Sequence, residues 1–335
     1  MRFRWLTVLC TMMLVLIISA CGAGGQDEAT SEGQKTGSAN TSTTETTETT
    51  ETSQVKKVTT KMGDIEIPVE PQRVVGLSLV YPEFLYALGI VPVAVQNYHE
   101  DHPSYLEEPF ANTMKMGIAR TPNFEAVMET MPDLIIAPDW WSEKDYDQLS
   151  LIAPTVLLPQ RDDWRDELRD IAKVLDREEQ AEKVIEDLVA KEKVAADKLN
   201  EMIGEETVLY IRVMEKEIVL HGENLDRGNF VHKRLGMNPL PNFPKDQVAM
   251  SVSMEVLPEY DADHLIVQLD DDKNPEIKKK FEEMLATSLW KNLKAVKNDH
   301  VYMVGGKEWL NLGMSPLADE YVIDDIVAVF EEKNK

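Results

Sequence analysis

Cysteine is nearly absent from this chain: among 335 residues there are two, Cys10 and Cys21. The first lies in an apolar run close to the amino terminus, so the body of the protein is expected to hold no disulfide and to do no thiolate chemistry. Its stability must come from packing. Basic residues are also scarce, 35 against 60 acidic ones, for a formal net charge of −25. Nothing in such a chain offsets phosphate repulsion, which excludes nucleic acid as a partner. The glycines form neither a Walker loop nor a dinucleotide fingerprint, and there is no nucleophile elbow. The chain therefore reads as a non-enzyme without a cofactor. Long apolar runs are missing beyond the first residues, where Arg2 and Arg4 precede a stretch that ends in small residues before Cys21. So short a run with that ending predicts a secretory signal over residues 1–20 and not a membrane span.

What is present is organised around one stretch. From Glu178 to Met202 the apolar residues Ala181, Val184, Ile185, Leu188, Val189, Ala195, Leu199 and Met202 recur at spacings of three and four, with charge between them. This predicts one long amphipathic helix, ended by Gly204. At about 1.5 Å per residue, some 25 residues span roughly 37 Å, enough to cross two lobes. The flanks repeat each other. NFEAVMETMPDLIIA from Asn123 and SMEVLPEYDADHLIV from Ser253 align without a gap, setting Glu125 beside Glu255, Asp133 beside Asp263 and Ile136 beside Ile266. Each unit reads as a short helix starting with an acidic residue, then a turn, then an apolar strand.

The intervening pattern alternates strand and helix. Val58 to Ile67 reads as a hairpin turning at Gly63 and Asp64, and strands are expected at Arg73–Leu77, Val91–Val95, Asp133–Ala137 and Thr155–Leu158. Helices are expected from Pro82, near Lys144–Leu149 and from Trp164. After the long helix, strands start at Thr207, Glu217 and His300, with helices at Gly228–Leu235, Pro275–Leu285 and Pro316–Phe330. The fold class is α/β: an amino-terminal lobe over 57–175, a linking helix over 176–204 and a carboxyl-terminal lobe over 205–335, each with a mostly parallel sheet. Ligands sit outside the carboxyl ends of such strands, so a cleft is expected between the lobes. Residues 21–56, with Thr-Thr-Glu repeated three times, cannot form a core and read as a disordered tether. Roughly 33 flexible residues would reach about 30 Å.

Two resemblances add to this reading. Ile18, Ser19, Ala20 and Cys21 resemble the lipobox of bacterial lipoproteins, which implies lipid on Cys21 and an anchor on the extracytoplasmic face of the cell membrane. The segments PQRVVGL, ALGIVPV, PNFEAV, MPDLIIA, IAPTV, SMEVL, DADHLIV and WKNLKAVKNDHVYMV, with Trp309 behind them, resemble iron-siderophore substrate-binding lipoproteins of ABC importers from about Lys57 to Glu331. That resemblance implies two Rossmann-like lobes bridged by one rigid helix and a ferric siderophore held in a shallow cleft. It also implies a monomer that docks on the two permease subunits through Glu125 and Glu255. The plain alternative for both glutamates is a favourable contact with the positive end of a helix, worth about 0.3 to 1 kcal/mol.

A ferric siderophore is compact and oxygen-rich, and arginine offers such acceptors a rigid fork of donors. Arg212 ends the strand TVLYIR where hydroxamate-binding relatives carry a ligand-contacting arginine, and Tyr210 stands where an aromatic is common. Trp309 matches a pocket tryptophan of the same relatives. Trp140 and Trp141 follow a strand of the first lobe, and two adjacent tryptophans are hard to bury together from a loop. Tyr98, His99 and Arg120 lie on loops of the same rim. Arg227 and Lys307 read as solvated surface, and Asp270, Asp271 and Asp272 as solvated turn residues. HGENLDRGNF departs from the glycine, serine and phenylalanine run of many relatives. These residues favour a siderophore of hydroxamate type, with a cobalamin or haem receptor of the same fold as the alternative and a surface adhesion module without small ligand as a further one. A zinc or manganese receptor would need His99, Asp101 and His102 to converge, because His221, His232, His264 and His300 are scattered singly along the chain.

Overall fold

Apolar strands separated by short amphipathic helices leave each lobe one solution, a sheet covered on both faces. The structure is a computed structural model that describes residues 54–241 and 243–333. The expected signal peptide, Cys21 and the tether as far as residue 53 lie outside the described residues. The expected tether ends sooner than predicted, since β1 begins at Val55. β1 (Val55–Thr60) and β2 (Gly63–Pro68) form an antiparallel hairpin. It turns at Lys61 and Met62, not at Gly63 and Asp64. The register sets Val58 beside Ile65, and both pack on the core. A turn two residues later would break that apolar pair.

In the first lobe β3 (Val74–Gly76), α1 (Tyr81–Ala87), β4 (Ala94–Val95), α2 (Ser104–Glu107), β5 (Met114–Lys115), α3 (Phe124–Glu129), β6 (Leu134–Pro138), α4 (Asp139–Ser142), α5 (Tyr146–Ser150), β7 (Thr155–Leu158) and α6 (Trp164–Leu175) follow in turn. The five strands form a parallel sheet in the order β5-β4-β3-β6-β7. α7 (Glu178–Ile203) is the predicted long helix, unbroken. Its buried stripe is Ala181, Ile185, Leu188, Glu192, Ala195, Leu199 and Ile203, while Val189 is exposed.

The second lobe has β8 (Val208–Val213), β9 (Ile218–Leu220), α8 (Asp226–Asn229), β10 (Met250–Val252), β11 (His264–Leu269), α9 (Pro275–Ala286), α10 (Ser288–Asn292), α11 (Lys294–Lys297), β12 (Val301–Val304) and α12 (Pro316–Lys333). Its sheet, ordered β10-β9-β8-β11-β12, is mixed. β8, β11 and β12 run parallel, but β9 and β10 are antiparallel to their neighbours. The link from β8 to β9 is too short for a crossover, and Met214 N–H closes it on the Glu217 carbonyl at 2.9 Å. No helix of the described residues is long and apolar enough to cross a membrane.

The internal repeat has a structural meaning at its aspartates. Asp133 accepts the backbone N–H groups of Gln72 and Arg73 at 2.7 and 2.9 Å, at the entrance to β3. Asp263 does the same for Thr207 N–H at 2.9 Å, at the entrance to β8. Each latch satisfies donors that the central strand of its lobe would leave unpaired. The helices of the two units differ. Asn123 caps α3 by accepting from Ala126 N–H at 3.2 Å, whereas the second unit forms only a turn and a 3₁₀ helix over Leu257–Tyr260. A helix starting at Met254, as α3 starts at Phe124, would place Pro258 in its interior, where the missing N–H and the ring oppose an α-helix.

One core runs through both lobes. Phe84, Leu168 and Ile171 from the first, Leu188 and Leu199 from α7, and Tyr210, Ile266, Val322 and Ile326 from the second belong to a single buried cluster. Separate clusters cover the outer face of each sheet. Midway along α7, Glu192 accepts from Arg165 of the first lobe at 2.8 Å and Arg234 of the second at 3.1 Å. Arg234 also pairs with Asp319 of α12 at 2.6 Å, and Asp319 accepts the Trp164 indole N–H at 2.9 Å. Breaking a buried pair of this kind costs about 3–5 kcal/mol, so the lobes resist hinging apart.

Candidate functional site

Strand alternation decides which second-lobe residues reach the cleft. Along β8, Val208, Tyr210 and Arg212 face α7 and α12, while Leu209, Ile211 and Val213 face the outer cluster. Arg212 stands at the carboxyl end of that inner row. Beside it on the parallel strand β11, Gln268 is its register partner, and Asp270 follows at the strand's exit. The Arg212 guanidinium donates to Asp270 Oδ1, and Asp270 Oδ2 accepts from the Tyr98 hydroxyl at 3.1 Å. Tyr98 belongs to the loop after β4, so the chain Arg212–Asp270–Tyr98 crosses from lobe to lobe. Desolvation, with Asp270 next, raises the Tyr98 phenol above its ordinary value, which keeps it a donor.

Tyr210 and Trp309 lie elsewhere. Tyr210 is buried between His221, stacked at 5.5 Å, and Trp309 at 6.2 Å, with its hydroxyl donated to Gln268. Trp309 is 0 % exposed, and its indole N–H donates to Asp325 of α12 at 2.7 Å. A short 3₁₀ helix over Lys307–Trp309 turns the ring inward, so neither ring presents a face to the cleft.

The first-lobe candidates form one rim. Trp140, Trp141 and Arg120 line a recess of about 520 Å³ with Asp139, Glu143 and Lys144. Trp140 is exposed, and the Arg120 guanidinium lies 5.9 Å from the Trp141 ring centre. Trp141 and Gln96 both donate to the Ala119 carbonyl, at 3.3 and 3.0 Å, which joins this recess to the loop carrying Tyr98. On its other side Tyr98 borders a second recess of about 400 Å³ with His99, Met214, Lys216, Asp270 and Asn274. Glu125, second in α3, and Glu255, in the turn before the 3₁₀ helix, are both exposed. A hydrogen bond from Ser253 lowers the Glu255 carboxyl below its usual range.

Three assignments from sequence change. Asp270 is 5 % exposed and paired, not a solvated turn residue. Extending the gapless repeat three residues past Val267 would have found it, because Asp270 then aligns with Trp140. Lys307 bridges the lobes, donating to the His102 carbonyl at 2.7 Å and to Glu107 at 2.5 Å. Arg227 is buried: it donates to the Leu310 carbonyl and hydrogen-bonds Tyr210, and burial lowers its pKa with Arg212 adding to the effect. Arg212 and Arg227 each keep a buried Nε without a partner, and among the described residues Arg227 forms no ion pair. The departing segment HGENLDRGNF sets Arg227 there. A Cβ on Gly228 would lie 1.9 Å from the Gly222 carbonyl oxygen, so only glycine permits this closure. His99, Asp101 and His102 do not converge: His99 faces Asp271 at 3.7 Å, Asp101 pairs with Lys273 at 2.5 Å, and His102 packs edge-on against Phe110.

What this arrangement can do is hold an oxygen-rich ligand between an arginine-based floor and an aromatic rim. The chain is 30% identical over 95% of both chains to the probable siderophore-binding lipoprotein YfiY of Bacillus subtilis. It is 27% identical to the iron(3+)-hydroxamate-binding protein FhuD of the same organism, over 87% of each. Staphylococcus aureus SirA complexed with staphyloferrin B superposes with a TM-score of 0.69 at 25% identity, covering 82% of this chain and 98% of SirA. The periplasmic binding protein family model matches residues 74–307, and with its two α/β lobes braced by one long helix, the chain belongs to that family.

Proposed function

We propose that this protein captures a ferric siderophore between its lobes and delivers it to the permease of an ABC importer. It does so as a monomer held by lipid on Cys21 at the extracytoplasmic face of the membrane. The observation that carries this reading is Arg212, poised at the cleft with an unpartnered Nε and joined through Asp270 to Tyr98 of the opposite lobe. A buried donor left without a partner calls for a ligand or an ordered water. Trp140, Trp141 and Arg120 supply the apolar and cationic rim, while Tyr210 and Trp309 support the floor from behind. The likeness to the hydroxamate-binding relative supports a hydroxamate ligand first. A carboxylate-bearing siderophore is the second reading, favoured by two buried guanidiniums, Arg212 and Arg227, of which only Arg212 is paired with a carboxylate, that of Asp270. The core shared by both lobes supports capture with little closure.

The test is titration of the purified protein with ferric hydroxamate, catecholate and citrate complexes, cobalamin and haemin, followed by tryptophan fluorescence. Sub-micromolar binding of one siderophore class is expected, weakened by about 10- to 100-fold in Arg212→Met, the loss of one charge-assisted hydrogen bond. Binding of cobalamin or haemin alone would overturn the substrate. Glu125 and Glu255 are proposed to meet the permease. Replacing both with alanine should abolish uptake and leave affinity intact; a loss of affinity instead would sink the docking assignment.

A further inference from the structure

Two histidines that stand 36 positions apart in the sequence stack on each other in the second lobe. Parallel pairing aligns the starts of β8, β11 and β12, with His264 beside Val208 and Leu265 beside Val301. Residues at those starts therefore become neighbours: Glu206 before β8, His264 opening β11, and His300 before β12. One donor atom from each lies within 4.8 Å of the other two. His264 Nε2 is 2.6 Å from Glu206 Oε2, and the two imidazole rings are parallel with centres 4.5 Å apart.

The other nitrogen of each ring is already engaged. His300 Nδ1 lies 3.2 Å from the Asp263 carbonyl, which can only accept, so the proton sits on Nδ1 and Nε2 keeps its lone pair. His264 Nδ1 lies 3.1 Å from the Tyr302 hydroxyl, which can accept a proton bond as readily as it can donate one. A carbonyl and a phenol behind two imidazoles are the partners that orient metal-binding histidines and raise their basicity. We propose that Glu206, His264 and His300 form a binding site for a divalent transition cation, with zinc the best match and water completing the tetrahedron. Nitrogen ligands and a single carboxylate disfavour calcium and magnesium, which want oxygen. Parallel rings point their lone pairs side by side, so loading requires the half-buried His300 ring to turn and the exposed Glu206 to swing toward the ion. Buried His264 stays in place. The proton it shares with Glu206 leaves Nε2 on binding and is released or moves to Nδ1, facing Tyr302.

This site is separate from the ligand cleft. Six residues of extended chain from His264 to Asp270 put roughly 20 Å between them, at the opposite end of the sheet. A bound cation would tie together the starts of three strands and raise the melting temperature without altering the ligand floor.

The experiment is calorimetric titration of the chelator-stripped, purified protein with zinc chloride, with cobalt(II) as a spectroscopic probe. One equivalent of zinc is expected to bind in the micromolar range, and cobalt to give the visible bands of a four-coordinate site. His300→Ala should weaken zinc at least about tenfold and remove the cobalt bands. Glu206→Gln, at an exposed position, should also weaken zinc while the apo-protein's circular dichroism and melting temperature stay unchanged. Absence of zinc binding below about 100 μM, or binding that both variants leave within threefold, would overturn the site.

Discussion

Glu83 offers the sharpest test of the interlobe packing. It lies in α1 of the first lobe, 2 % exposed, and accepts from Asn311 Nδ2 at 2.6 Å and from the Ser315 hydroxyl, both in the loop that enters α12. Desolvation pushes its carboxyl up to about 7, against 4.5 in the unfolded chain; the bonds from Ser315 and Asn311 oppose the rise, and the nearby Asp319 adds to it. Between those two values the folded protein holds a proton that the unfolded chain has released. Stability from this group is therefore complete below about pH 4.5 and is lost as pH climbs through about 7. The gap is worth about 3 kcal/mol. Glu83→Gln removes the titration and keeps the shape: its amide oxygen still accepts from Asn311, and its N–H₂ can donate to Ser315. Urea unfolding of both proteins at steps across this range should show the wild type losing about 3 kcal/mol relative to the variant. Curves that stay parallel, or wild-type stability that grows with pH relative to the variant, would refute the reasoning.

Other predictions concern the site. Fluorescence changes on ligand binding should vanish when Trp140 and Trp141 are both replaced by phenylalanine and persist in Trp309→Phe, because the Trp309 ring is sealed from the cleft. Trp309→Ala should instead lower stability by about 3–5 kcal/mol in denaturant titration, the cost of emptying a packed aromatic site. Arg227→Met removes a desolvated charge while losing its bonds to the Leu310 carbonyl and Tyr210, each worth about 1.5–3 kcal/mol. Escape from a desolvation penalty of several kcal/mol offsets that loss. The melting temperature should hold or rise while ligand affinity falls about tenfold.

Much of the fold was legible because its signals are local. The three-and-four spacing from Ala181 to Met202 needs only helix geometry to be read, and the repeat pairing Asp133 with Asp263 located the starts of β6 and β11. The candidate rim is local in the same way. Tyr98, Trp140, Trp141 and Arg120 follow strands and Arg212 lies near the carboxyl end of one, and loops after parallel strands open on one edge of the sheet. The hairpin turn at Lys61 and Met62 was missed because register depends on which side chains meet across strands, and the dipeptide Gly63-Asp64 carries no information about that.

Sequence by itself determined most of the elements, the two-lobe plan, the scarcity of thiols and the acidic balance, since each is a property of composition or of short-range period. Tertiary structure alone decided which way side chains at the strand ends turn. It drew Trp309 into the core, where a loop tryptophan with Asp325 in reach gains more from burial than from water. It buried Asp270 beside Arg212, because parallel register sets those two strand exits side by side. It also stacked His264 on His300 from 36 positions apart, since adjacency across a sheet follows from strand order, which no local pattern encodes.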